Sequence, residues 1–88
     1  MTYEELKNYI INEEMIYLKA GKGDWYQKDG KYLFISSMEE SHLKNSIKMI
    51  ERDLKRLEDR PEEIVEELKP LAEDKIKELK EEYIKRIN

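Results

Sequence analysis

The feature that most constrains this chain is the rhythm of apolar residues in its second half. Leu43, Ile47, Ile50, Leu54 and Leu57 step by 4, 3, 4 and 3 residues, a heptad seam sustained for about two heptads. The seam stops at Asp59-Arg60-Pro61. A second stripe then runs through Ile64, Val65, Leu68, Leu71, Ala72, Ile76, Leu79, Tyr83, Ile84 and Ile87. Two long helices are therefore expected, roughly 37–59 and 61–87, folded against each other as a helical hairpin. Ser36 and Ser37 each stand three residues before a glutamate (Glu39, Glu40), the capping-box spacing, so either serine is expected to cap the first of these helices. Pro61 suits the first turn of the second. Pro70 falls inside that helix, where proline removes one backbone hydrogen bond, so a kink or a restart is expected near it.

The first half reads differently. Thr2 and Glu5 have capping-box spacing, and Leu6, Tyr9, Ile10, Ile16, Tyr17 and Ala20 give a ragged 3.6-residue stripe. A helix over roughly 3–20 is expected, ended by Gly21. Trp25-Tyr26-Gln27 and Tyr32-Leu33-Phe34-Ile35 are rich in aromatic and β-branched residues, so a hairpin is expected over roughly 24–36. Asp29-Gly30 between them is a favoured pair for a type I′ turn, in which both central residues take positive φ. The expected architecture is a single, mainly α domain: an N-terminal helix, a small β-hairpin, then two long helices.

Size makes assembly an issue. A chain of 88 residues buries only about 60–65% of its unfolded surface, and with no cysteine no disulfide adds to its stability. A 27-residue helix is about 40 Å long, whereas a compact globule of this length is roughly 30 Å across. The helices overhang such a globule and would expose seam residues unless a second copy covered them, so a homo-oligomer is expected.

Charge narrows the partners. Charged residues make up 43% of the chain with both signs interspersed, and the net charge is −4. Bulk binding to DNA or RNA is not expected, because phosphate affinity comes from a basic footprint. The charge is uneven, however. Residues 22–56 hold eight Lys/Arg against six Asp/Glu, while residues 61–88 hold six against nine, so an anion would sit most cheaply in the middle of the chain. No run of about 20 apolar residues exists to span a membrane. The N-terminus is acidic where a secretory signal would be basic, so a cytoplasmic location is expected.

The candidate ligand-binding residues lie on the helix after the hairpin. At about 100° per residue, His42, Asn45, Met49, Arg52 and Arg56 share a face away from the apolar seam. Arginines one turn apart suit bidentate phosphate contacts, and Asn45 could read a base edge or ribose. The plainer reading is a solvated face whose arginines pair with Glu51, Asp53 or the acidic last helix. Trp25, beside basic residues, could stack a nucleotide base, or could fasten the hairpin to the helices. His42 is the lone histidine and has no identifiable nucleophile or acid partner, so no catalytic residue and no cofactor are expected. Without cysteine, the usual zinc and iron–sulfur sites are excluded.

The stretch from Trp25 to Arg52 resembles a motif of small bacteriophage-encoded proteins. Its elements here are Trp25, Lys28-Asp29-Gly30, Met38, His42-Leu43, Asn45, Ile47 and Glu51-Arg52. In architecture the chain is similar to anti-Thoeris phage proteins, which sequester cyclic ADP-ribose signals as oligomers. The resemblance implies a non-enzymatic anti-defence protein in the cytoplasm of an infected bacterium that sequesters a small anionic, nucleotide-like immune signal. It assigns no residue, and the expected ligand-binding residues, Asn45, Arg52, Arg56, His42 and Trp25, are those of the helix face and the hairpin. The alternative is a protein-interaction or structural module acting on a host or phage protein.

Overall fold

Several N-terminal segments of this protein are fastened to its last helix. The computed structural model describes residues 1–88. It contains three α-helices, α1 (Tyr3–Tyr9), α2 (Glu40–Leu57) and α3 (Glu62–Ile87), and one antiparallel hairpin, β1 (Asp24–Tyr26) with β2 (Tyr32–Phe34). The two long helices pack on each other as expected. Residues from α3 also reach α1, the start of the hairpin and the turn before α2. Glu67 takes the Tyr3 hydroxyl and the Lys7 ammonium. Lys75 Nζ donates to the Gly21 and Asp24 carbonyls, each at 2.8 Å, and Glu78 accepts from Gly23 N–H. Arg86 donates to the Ser36 carbonyl at 3.1 Å. The molecule measures 44 × 24 × 18 Å, its long axis set by the helices.

The N-terminal helix is shorter than its sequence implies. The capping box forms, with Glu5 N–H donating to Thr2 Oγ1 at 3.2 Å and Thr2 N–H to Glu5 Oε1 at 3.3 Å. The α-helix nevertheless ends at Tyr9. It widens into a π turn over Ile10–Glu14, breaks at Met15 (φ −109°, ψ 60°) and continues as a 3₁₀ turn over Ile16–Lys19. The core explains the change. Ile10, Met15 and Tyr17 are all at most 3% exposed, and their spacings of five and two fit no α period. A π turn closes i to i+5, as in the Met15 N–H to Ile10 carbonyl bond, and so puts both side chains inside.

The hairpin turn is also of another kind. Gly30 has φ +85°, but no non-glycine residue has positive φ, which excludes type I′. The Gln27 N–H bonds the Lys31 carbonyl and the Gly30 N–H bonds the Gln27 carbonyl. This is a three-residue loop closed by a left-handed glycine, the G1-bulge class. Asp29 Oδ1 accepts from Lys31 N–H at 2.9 Å, an Asx turn that keeps Asp29 at negative φ.

Neither Ser36 nor Ser37 caps α2. Both Ile35 and Met38 enter the core, which holds residues 35–37 in a 3₁₀ turn and delays the helix to Glu40, behind an N-cap Glu39 whose side chain does not cap. Pro61 takes the N-cap position of α3, one residue before the expected first turn. Pro70 neither breaks nor restarts α3, which runs unbroken past it. Pro70 is exposed, so water can take the carbonyl its ring leaves without a donor.

The buried stripe of α2 is Leu43, Ser46, Ile50, Asp53 and Leu57, while Ile47 and Leu54 are half-buried. Relative to the apolar seam, the buried face is rotated by roughly 40° at 100° per residue. Leu43, Ile50 and Leu57 are at most 2% exposed within one chain. The need for a second copy to cover them therefore disappears. The large apolar side chains left exposed lie elsewhere, among them Tyr32, Phe34, Leu71, Ile84 and Ile87.

Candidate functional site

The rotation of α2 turns its arginine face toward the π turn, and a groove opens between them. It consists of two adjoining depressions of about 310 and 180 Å³ that share Glu13, Glu14, Lys28 and Met49. Arg52, Arg56 and Arg60 line the larger, with Asp53 among its walls. Tyr17, Trp25, Tyr26 and His42 line the smaller. Four of the five sequence candidates are thus brought to one groove, Arg52 and Arg56 in one part, Trp25 and His42 in the other. Asn45 is exposed on α2 and lines neither part.

Arg52 and Arg56 are exposed and make no ion pair. The four ion pairs of the chain are Lys7–Glu67, Arg60–Glu14, Lys75–Glu78 and Arg86–Glu82. The plain expectation that these arginines pair with Glu51, Asp53 or α3 is therefore not met. Their charge is felt instead through the field they set up at Asp53.

Asp53 lies beneath them, 8% exposed, and accepts the Tyr17 hydroxyl at 2.8 Å. Burial pushes its carboxyl above the ordinary aspartate value. The Tyr17 hydrogen bond, Arg52 and Arg56 pull it back, and Glu14 adds to the rise. Burial likewise pushes the Tyr17 phenol well above its usual value, reinforced by the Asp53 charge and opposed by Arg52. The pair is a neutral donor held on a carboxylate that is costly to ionise.

Trp25 does not offer a stacking face. It is 3% exposed, stacked on Tyr17 at 5.1 Å and 6°, and met edge-on by His42 at 6.5 Å and 90°. Both residues wall the groove as packing. Tyr26, half-buried, is the hairpin aromatic that lines it with a part-open ring. Tyr32 lies edge-on to that ring at 4.8 Å, and Lys19 Nζ stands 5.3 Å from its centre.

Two contributors were missed in the sequence. Arg60 sits in the turn after α2, beyond the helical face that drew attention to Arg52 and Arg56. Its only signal was a further step of four residues. Glu14 carried none, because the expected continuous helix makes it one more solvated acid.

A larger depression, about 540 Å³, borders Leu71 and Lys75. Its buried cation already bonds two backbone carbonyls. No three His, Cys, Asp or Glu side chains converge as a metal site, and no helix is long and apolar enough to cross a membrane. In comparisons with known proteins, no family model, curated protein or solved structure matches the chain.

Proposed function

We propose that this protein works by binding, without catalysis, and that the groove between the π turn and α2 captures a small anionic, nucleotide-like ligand. The observation that carries this reading is the pair of unpartnered arginines, Arg52 and Arg56, at a depression that also holds Lys28 and Arg60. Guanidinium groups are well suited to phosphate, and Tyr26 offers a ring for a base in the adjoining part. The resemblance of residues 25–52 to phage proteins gives the ligand a context, an immune signal sequestered in an infected bacterium. Asn45, two turns above Arg52, would reach only a ligand that extends out of the groove.

The test is a nucleotide panel read by melting temperature and calorimetry, since a ligand that binds only the folded state raises its stability. Replacing both Arg52 and Arg56 with Gln should leave the fold intact and weaken binding by about a hundredfold or more, at roughly 1.5–3 kcal/mol per charge-assisted bond. A double variant that binds as tightly as the parent defeats the reading.

A second reading, a protein-interaction module, has its own observation. The ladder pairs Gln27 with Lys31 and Gly23 with Ile35, so the intervening Trp25–Leu33 pair also faces inward and the backbone groups of Tyr32 and Phe34 point outward. Their side chains are 57% and 68% exposed. An open edge of this kind accepts a strand from another chain. Pairing with a second copy about Leu33 would set Tyr32 against the Phe34 of that copy, and the expected homo-oligomer would form this way. Light scattering that gives a monomer at micromolar concentration, unaltered in Phe34→Lys, counts against it.

A further inference from the structure

The larger depression of the groove already has an anion in it. Arg60 Nη2 donates to both carboxylate oxygens of Glu14, at 2.6 and 2.9 Å, while the other nitrogens of that guanidinium bond nothing in the chain. Glu14 thus holds one corner of the Arg60 fork and leaves the rest open, beside Arg52 and Arg56. Resting on the proposed anion-binding role, we infer that the ligand is anchored by a terminal phosphate monoester, which takes Arg60 from Glu14.

The exchange is feasible because the pair is weak. The two side chains are 30% and 38% exposed, and exposed ion pairs are worth about 0–1 kcal/mol. Charge decides which ligand gains from it. A phosphate monoester carries about −1.5 to −2 at neutral pH, more than the single charge of the carboxylate it replaces, and it presents three oxygens to three arginines. A phosphodiester carries one charge, as Glu14 does, and gains nothing at Arg60 by the swap. Glu14 is therefore an internal competitor that selects for dianions. Its position serves that role. It is the last residue of the π turn, ahead of the backbone break at Met15, which places its carboxylate in the groove rather than along a continuing helix.

The experiment uses adenosine 5′-monophosphate and 3′,5′-cyclic AMP as probes, titrated calorimetrically into the full chain. The parent protein should bind the monoester about tenfold more tightly than the cyclic diester. Glu14→Gln should tighten monoester binding roughly fivefold, the value of an exposed ion pair. Arg60→Gln should weaken it about tenfold and shrink the effect of Glu14→Gln when the two are combined. Glu14→Asp keeps the charge but shortens its reach, and should tighten binding less than Glu14→Gln. Cyclic AMP binding as tightly as the monoester, or monoester affinity unmoved by Glu14→Gln, overturns the exchange while leaving the anion site standing. Failure of both probes to bind either the parent or Glu14→Gln removes both together.

Discussion

Tyr17 and Asp53 meet across 36 residues of sequence, the phenol donating to the buried carboxylate at 2.8 Å. The bond joins the segment after the π turn to α2 at the base of the groove, so the site and the stability of the fold depend on the same pair.

Tyr17→Phe should be destabilising by about 1–3 kcal/mol, because it leaves a buried carboxylate without its donor. Chemical denaturation would measure it. A midpoint equal to that of the parent would mean that water replaces the phenol at no cost. The stacking on Trp25 is retained in Phe, so the loss isolates the hydrogen bond.

The pH dependence follows from the direction of the Asp53 shift. Its folded-state carboxyl is raised above the ordinary value of 3.8, so between the two values the folded protein binds more protons than the unfolded chain, and stability contributed by this group increases as pH falls. The groups facing it are Tyr17, Arg52, Arg56 and Glu14. Asp53→Asn removes the cost of the buried charge, so it should melt higher than the parent at neutral pH. That advantage should narrow on acidification, as the parent's carboxyl takes up its proton. Melting curves from pH 7 to 4 check this. A constant gap would show that Asp53 titrates normally.

Lys75 is 4% exposed and bonds two carbonyls at the base of the hairpin. Lys75→Met keeps most of the side-chain volume and removes both bonds, and should be destabilising by about 3 kcal/mol. Hydrogen exchange should localise the loss to residues 21–35, with α2 less affected. Uniform loss over the whole chain would mean that the hairpin does not open as a separate unit.

Gly30 needs its positive φ but not its empty space, since a Cβ there would approach only the Tyr26 hydroxyl at 3.9 Å. Gly30→Ala should therefore be destabilising by about 1–2 kcal/mol, the cost of left-handed backbone. Gly30→Asn should lose less, because asparagine tolerates that region. Equal melting temperatures for parent and Gly30→Ala would mean that the loop relaxes to another turn.

What was legible in the sequence was local. Thr2 and Glu5 formed their capping box because both partners lie within one turn. The two long helices followed the spacing of Leu43 to Leu57 and of Ile64 to Leu79. The π turn was not legible, because Ile10, Met15 and Tyr17 are brought inside by tertiary packing, although spacings of five and two in a nominal helix were a signal. Ser46 and Asp53 repeat with the same heptad period as the seam, one residue earlier. A hydrophobic reading passes over them because both are polar, and the burial of Asp53 goes with its bond to Tyr17. Lys75 stood among Leu68, Ala72, Ile76 and Leu79 at core spacing, a lysine in an apolar stripe that only its two carbonyl partners explain. For the groove, sequence brought Arg52 and Arg56 to notice through their shared face. It left the role of Trp25 open, because a lone tryptophan on a small hairpin reads the same whether it grips a ligand or fastens the hairpin down.

The fastening of α1, the base of the hairpin and the turn before α2 to α3 bears on how the chain is made. Glu67, Lys75, Glu78 and Arg86 are translated after Lys7, Gly21, Gly23, Asp24 and Ser36, which they bind. A three-residue-strand hairpin and a seven-residue helix are too short to persist alone. The contacts that α1 and the base of the hairpin make with α3 therefore form only after that helix has been made, later than the Tyr17–Asp53 and Glu14–Arg60 contacts. A message truncated anywhere within α3 would yield a polypeptide open to proteolysis, not a smaller working version of the protein.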